Sequence, residues 1–530
     1  MQLRRLVAAF LFSAACADGL MKPNTRPLQP DEMKGTKVVL EVEDRDDEAK
    51  PGFKPYTVDL YPETQHIPLN AAHKALRPPP PRVPDEFDLF VGMSSFRDGQ
   101  RCGYALFTGF KRAAHPNNII FGVVDQVAAS DVRCIDAYCD LARAEWPEEA
   151  CRFRDQVRVD ERRARDSRGP TLARHYQQQL LLEEEFCLQL DAHSVFTRHW
   201  DVFLVEDWTH ANNEMAILST YIHDPEGAVK KNGRNIIPHD LPHLCQTMRA
   251  DDDGMVRTVG ADMLADPTTP QLSALWGAGF SFGKCHAEKR ARVDPHTLWM
   301  FDGEEFLRAA SLWTHGYDMY SPSKTGTVVY HNYTRVPKRF EDVKVDDAQK
   351  KRETEAGLNR FRLRVGMPLT GLAITDDWER YDWGTARTFD EYLEFAGVTM
   401  TPGKQDRMSC FQLHWVPYSN PAVVEALVPE WQLVPTPAPP KPPLREGGSN
   451  GKRESLLPST TASMKQATSR SLVVEAKMFL RDQAYEYKTQ KFPGLFVGLL
   501  FGLLITSLAV YSNDRWWHRL RRLCRPTRQL

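Results

Sequence analysis

The chain has no surplus of either charge. Its 68 Lys and Arg residues stand against 70 Asp and Glu. Such a balance gives no general attraction for polyanions, so a nucleic-acid partner is not expected. Paired C-x-x-C spacing with a following histidine rhythm is also missing among the ten cysteines, which argues against a structural zinc site. No internal repeat is found, which argues against a solenoid. N-glycosylation sequons are scarce: only Asn332-Tyr333-Thr334 qualifies. The N-terminal apolar stretch, Leu6 to Ala15, is too short to cross about 30 Å of hydrocarbon. With Arg4 and Arg5 before it and Ala15-Cys16-Ala17 after it, residues 1–17 read as a cleaved signal peptide.

The 530 residues and 42% hydrophobic content suit a globular protein with a sizeable core. Residues 18–86 are rich in Pro and charge and read as an irregular arm with one strand, Lys37 to Val42. A main domain follows over 87–430, then a Pro/Ser/Thr-rich stalk over 431–471 and a helix over 472–490. Residues 492–511 carry no charge and are long enough for one transmembrane helix. The tail 512–530 holds six arginines, which the positive-inside rule assigns to the cytosol. The expected protein spans the lipid bilayer once, in the Golgi or ER, with its main domain luminal. Eight cysteines then lie in an oxidising compartment and are free to pair, with the pairing left open.

Within the main domain, apolar runs at 87–93, 119–124 and 186–190 read as buried strands. Helical spacing over 102–114 and 174–185 separates them. This is the pattern of parallel strands joined by right-handed crossovers, an α/β fold. Further strands are expected at 202–205, 216–219 and 328–331, and helices at 302–312, 342–363 and 388–397. The segment 277–282 reads as a small-residue strand or turn.

Asp191-Ala192-His193 stands at the end of the run Phe186 to Leu190. A carboxylate and an imidazole two residues apart on an extended chain point to one side, at the sheet edge where open α/β sheets bind ligands. They suit one divalent cation, the charge that a diphosphate leaving group needs. Four stretches extend the signal: Val91 to Asp98; Gly122 to Gln126; Gly169 to Arg174 with Leu188 to Ser194; and Gly279 to Phe282 with Phe301 to Glu305 and Leu312 to Pro322. Together they resemble the polypeptide α-N-acetylglucosaminyltransferases of glycosyltransferase family 60, in order, over roughly 87–400.

The resemblance implies a GT-A fold, a single mixed and mainly parallel sheet flanked by helices. It implies a Mn2+ or Mg2+ cofactor, a UDP-GlcNAc donor and retention of configuration. Asp191 and His193 become the metal pair, and His331 a third ligand, by likeness to an element of the mucin-type GalNAc-transferases. Ser95, Arg97, Asp98 and Gln126 fall where the nucleotide would bind, and Arg174 would reach the donor phosphate or sugar. Glu304 and Glu305 resemble the catalytic acidic pair facing acceptor and sugar, neither of them a nucleophile. Trp313, His315 and Tyr317 would line the acceptor side, with core packing as the alternative. A glycan on Asn332 would crowd His331 unless alternation turns the histidine into the cleft. The expected acceptor is a protein or peptide hydroxyl: Thr, Ser or hydroxyproline. Two alternatives remain, a different UDP-sugar such as UDP-GalNAc, or an inactive sugar-binding relative.

Protease treatment of sealed microsomes is expected to trim only the C-terminal tail. Protection of a C-terminal tag would reverse the assigned topology.

Overall fold

The computed structural model describes residues 22–42, 54–249, 254–335, 338–401 and 403–434. The signal peptide, most of the stalk, the 472–490 helix, the membrane span and the tail lie outside them. Among the described residues no helix is long and apolar enough to cross a membrane.

Eight strands build the main sheet: β1 Leu89–Phe96, β2 Ile119–Val127, β3 Val157–Arg163, β4 Phe186–Asp191, β5 Ala216–Ser219, β6 Gln271–Ser273, β7 Phe280–Lys284 and β8 Asp318–Ser321. Their order across the sheet is β6-β8-β5-β7-β4-β1-β2-β3. β3, β2, β1 and β4 run parallel. β7 is inserted antiparallel to both β4 and β5, β5 pairs parallel with β8, and β6 closes the edge antiparallel. The sheet is therefore mixed. The inner strands are apolar along their length because both faces are covered. Leu89, Phe90, Val91 and Met93 of β1 are all buried, the signature of a parallel strand with helices on each side.

The helices that matter to the site are α1 Gly99–Arg112, α2 Cys134–Glu145, α3 Pro170–Gln178, α4 Trp200–His210, α5 Glu304–Thr314, α6 Asp347–Val365 and α7 Phe389–Ala396. α1 shows one apolar face, with Cys102, Leu106 and Phe110 buried at four-residue spacing. Cys102 bonds Cys134, tying α1 to α2, and Cys187 bonds Cys285, stapling β4 to the residue after β7. Cys139–Cys151 and Cys245–Cys410 complete the pairing. All eight cysteines expected to be luminal are thus in disulfides.

Several sequence expectations change. The run 202–205 is not a strand but the middle of α4, where Val202, Leu204 and Val205 are buried. A helix covered on nearly every side shows no 3.6-residue stripe, so a short apolar run resembles a strand. The helix expected over 174–185 begins earlier, at Pro170, and stops at Gln178. Proline suits the first helical position, where its missing N–H costs nothing. β1 runs on to Phe96, three residues past the apolar run that ends at 93, so Ser94 and Ser95 belong to the strand. The segment 277–282 resolves into β7. α2, β3, β6 and β8 have no counterpart in the sequence reading. β3, Val-Arg-Val-Asp-Glu-Arg-Arg, is an edge strand whose charges guard an open ladder. The strand at Val38–Val42 exists, and it pairs with Tyr56–Leu60 and with Asp262–Ala265 of the main domain.

α5 starts behind Gly303, which has φ +86°. A Cβ there would lie 2.4 Å from Met255 Cε and 3.0 Å from the Phe361 ring. Gly303→Ala is expected to destabilise the protein by at least about 1–2 kcal/mol from the left-handed backbone alone. Chemical denaturation checks the loss; an unchanged midpoint would contradict it.

Candidate metal and donor site

The carboxyl ends of β1 and β4 lie side by side, with Ser94 opposite Asp191. A turn after Asp191 leads to a short strand, Ser194–Phe196, which pairs antiparallel with Val329–His331 so that His331 faces Ser194 in register. This hairpin of distant segments returns His331 to Asp191. His331 Nε2 lies 3.3 Å from Asp191 Oδ2. The His193 and His331 rings are 4.5 Å apart at their centres. One donor atom from each of Asp191, His193 and His331 lies within 4.8 Å of the others. The three residues named from sequence are thus brought together.

Charge and burial suit a cation here. Burial opposes ionisation of Asp191, but the His331 hydrogen bond and the Arg174 charge outweigh it and hold its pKa down at about 2. Burial lowers the pKa of His193, with Asp191 opposing, which favours the neutral imidazole a metal requires. His193 Nδ1 lies 3.7 Å from Asp98 Oδ2, a carboxylate placed to orient the ring. His331 Nδ1 is buried with no hydrogen-bond partner among the described residues. A second cluster, Cys245, Asp262 and Cys410, offers no thiolate because its sulfurs are bonded to each other.

Arg174, on α3, joins the metal cluster to the acids of α5. Its Nη2 is 3.4 Å from Asp191 Oδ1, and its Nη1 donates to Glu304. Burial opposes its charge, yet Glu304 and Asp191 raise its pKa overall. Burial likewise pushes Glu304 up, with Arg174 opposing. Glu305 is held differently: Oε1 accepts from the Ala278 N–H at 2.8 Å and Oε2 from Tyr221 OH at 2.5 Å. Burial raises its pKa to about 7, with those two hydrogen bonds opposing.

The remaining predicted residues divide. Ser95 is buried at the end of β1, its hydroxyl beside the Asp125 carboxylate across the strand pair. Gln126 is buried at the end of β2. Arg97 grips Asp131 through two bonds of 2.6 and 2.8 Å, so its guanidinium is committed to the loop after β2. Asp98 bonds Arg101 and serves His193. Trp313 and Tyr317 are fully buried: Trp313 stacks on Phe395 and carries the Arg387 guanidinium over its ring, and Tyr317 OH meets His286 Nδ1 at 2.8 Å. His315 is half-buried, its Nδ1 paired with the Ser311 carbonyl. All three lie at the far end of α5, with Trp313 about 14 Å along the helix axis from Glu304, and the site does not gather them. Asn332 bonds within its own sequon, its Oδ1 accepting from Thr334, while its backbone N–H donates to the His193 carbonyl. His331 points into the cluster.

Sequence reasoning missed Asp125 and Tyr221. Asp125 is paired with Ser95 across β1 and β2. It is buried and accepts from the Cys134 N–H at 2.7 Å, with the Ser95 hydroxyl as a second donor. Burial raises its pKa to about 6. The signal was an acid ending an otherwise apolar strand. Tyr221 had no comparable signal.

Residues 139–402 match the sequence model of a family described as Glycosyltransferase (GlcNAc). The matched stretch contains Arg174, Asp191, His193, Glu304, Glu305 and His331 and leaves out Ser95, Arg97, Asp98 and Gln126. No curated protein matches the chain. Among solved structures, GalNAc-T7 with UDP, GalNAc and Mn2+ matches at 14% identity and TM-score 0.35, over 59% of this chain and 57% of that one. The mannosyltransferase PcManGT from Pyrobaculum calidifontis, with GDP-Man and Mn2+, matches at 12% and 0.32, over 57% and 70%. S. aureus TarS 1–349 with UDP-GlcNAc matches at 11% and 0.29, over 52% and 72%. The chain thus spans little more than half the length of the GalNAc-T7 chain. Likenesses this distant add no weight, and the fold rests on the sheet itself.

Because the folded pKa of Glu305 lies above the ordinary carboxylate value, folding takes up a proton between about pH 4.5 and 7. Its contribution to stability falls as pH rises through that window. Glu305→Gln is expected to flatten the decline in melting temperature there. An unchanged slope would show that Glu305 is not its source.

Proposed function

We propose that this protein is a metal-dependent retaining glycosyltransferase. It moves GlcNAc from UDP-GlcNAc to a hydroxyl side chain of a secretory-pathway protein, Thr, Ser or hydroxyproline. The observation that carries the reading is the convergence of Asp191, His193 and His331 at the carboxyl edge of the sheet, inside a stretch that matches a GlcNAc glycosyltransferase family. One carboxylate and two imidazoles fit a divalent cation. The nitrogen share favours Mn2+ over Mg2+, which prefers oxygen ligands. When bound, the cation neutralises the diphosphate as it leaves.

The chain's own residues supply the rest. Arg174 holds a fixed positive charge beside the cluster, available to donor phosphate or sugar. Its bond to Glu304 opposes the burial that pushes that carboxyl's pKa up and fixes the side chain's orientation. Glu305 is pinned at both oxygens, so its task is to position groups. In a same-face transfer the acceptor oxygen bonds to the anomeric carbon as the sugar–phosphate bond breaks, and the acceptor proton passes to the departing phosphate. No side-chain nucleophile is required. Ser95 and Asp125, buried side by side at the ends of β1 and β2, suit hydrogen bonds to the nucleotide. The four disulfides support an oxidising compartment, in line with a luminal domain anchored through 492–511.

Asp191→Ala is expected to reduce transfer at least a hundredfold in a protein that still folds with a lowered melting temperature, and EDTA to silence the wild type. Full activity in excess EDTA contradicts the metal role. Product analysis on Thr/Ser/Pro peptides with UDP-GlcNAc, UDP-GalNAc and UDP-Gal decides the donor. Transfer from UDP-GalNAc or UDP-Gal alone would reassign it, and no transfer or donor hydrolysis from any would favour a sugar-binding role.

A further inference from the structure

A pocket adjoins the Arg174–Glu304 pair. Arg174, Arg292, Arg308 and Arg364 line it, with only Asp294 and Glu304 as acids, and none of Asp191, His193 or His331 reaches it. Both acids are already committed. Glu304 accepts from Arg174. Asp294 takes Arg360 Nε at 2.6 Å, from outside the lining. Arg308 bonds the Ala291 carbonyl and Glu288. Arg292 is exposed and bonds the Lys289 carbonyl.

Arg364 is left with the least. Its Nη1 is 3.8 Å from the shared Asp294, and its side chain is 5% exposed. The guanidinium lies over the Trp383 ring at 4.2 Å, and exposed Asp382 adds attraction only. Arg364 Nε and Nη2, together with Arg308 Nε, are buried without hydrogen-bond partners among the described residues. A guanidinium buried this way is costly unless an anion completes it. Burial accordingly lowers the Arg364 pKa to about 10.

We propose that this pocket is an oxyanion subsite, taking a carboxylate or phosphate borne by the acceptor polypeptide. The proposal rests on the transferase reading and names the acceptor chemistry for it. Guanidinium forks match planar and tetrahedral oxyanions. Arg174 lines the pocket and also reaches Asp191, so an anion bound here lies beside the proposed transfer centre. The donor diphosphate belongs with the cluster, on the Nη2 side of Arg174. The pocket lies with Glu304, on the Nη1 side.

Kinetics of the full chain test it, with Thr peptides in neutral, Glu-flanked and phosphoserine-flanked forms. The expected KM is at least tenfold lower for one acidic series, and that series identifies carboxylate or phosphate as the ligand. Arg364→Gln is expected to erase the gap while donor hydrolysis stays unchanged, and Arg364→Lys to restore part of it. Equal KM values across the panel, or a gap that survives Arg364→Gln, overturn the proposal. Inorganic phosphate gives a readout independent of transfer. It is expected to raise the melting temperature of the wild type and not of Arg364→Gln, and no shift in the wild type counts against the subsite. If Arg364→Gln does not fold, Ser311→Asp places a carboxylate in the pocket wall and is expected to cancel both the phosphate shift and the acidic preference. A phosphate shift with neither transfer nor donor hydrolysis would keep the anion site and sink the acceptor assignment together with the transferase reading.

Discussion

One carboxylate holds the site together. Asp191 meets His331 on one oxygen and Arg174 on the other, and Arg174 passes the connection to Glu304. Through this chain of charges, β4, α3, α5 and the late strand Val329–His331 share a single electrostatic centre. Each link has a buried or half-buried partner. Removing the carboxylate would leave Arg174 leaning on Glu304 alone and two imidazoles without their anion. Buried charge of this kind adds little net stability by itself. Its value is geometric, since it gathers His331 and Arg174 at one point on the carboxyl edge of the sheet.

The surrounding fold serves that geometry. The parallel run β3-β2-β1-β4 brings the ends of three adjacent strands, β2, β1 and β4, to one edge, with Asp125, Ser95 and Asp191 on them. β7, inserted antiparallel, carries the Gly277–Gly279 turn to the same edge, where the Ala278 N–H holds Glu305 and its carbonyl accepts from Arg174. α5 begins at that edge and runs away from it into the core. This explains why Glu304 reaches Arg174 and Glu305 the Ala278 turn, while Trp313 and Tyr317 pack against other aromatic rings.

Sequence reasoning reached this site unevenly, for physical reasons. Asp191, His193, Glu304 and Glu305 sit at element ends, where a polar residue interrupts an apolar pattern and announces itself. His331 was legible only through family likeness, because nothing local says that its short strand pairs with Ser194–Phe196. Arg97 looked like a nucleotide contact; its bidentate grip on Asp131 depends on a loop fold that spacing does not encode. α4 was misread because full burial removes the helical stripe, and β3 was invisible because an edge strand with four charged residues in its last four positions carries no apolar alternation there. Cysteine count left disulfides possible and was silent on which partners join. The arginine pocket depends on Arg308 and Arg364 coming from α5 and α6, helices whose contact no periodicity predicts.

The proposed function stands on Asp191, His193 and His331 together holding one divalent cation. The most direct test is a Mn2+ titration followed by electron paramagnetic resonance, in the presence of UDP, on the wild type and on Asp191→Ala and His331→Ala. The account predicts one Mn2+ bound per chain in the wild type, none at the same concentrations in Asp191→Ala, and clearly weakened binding in His331→Ala. Equal Mn2+ binding by all three proteins, or no binding by the wild type, would contradict it.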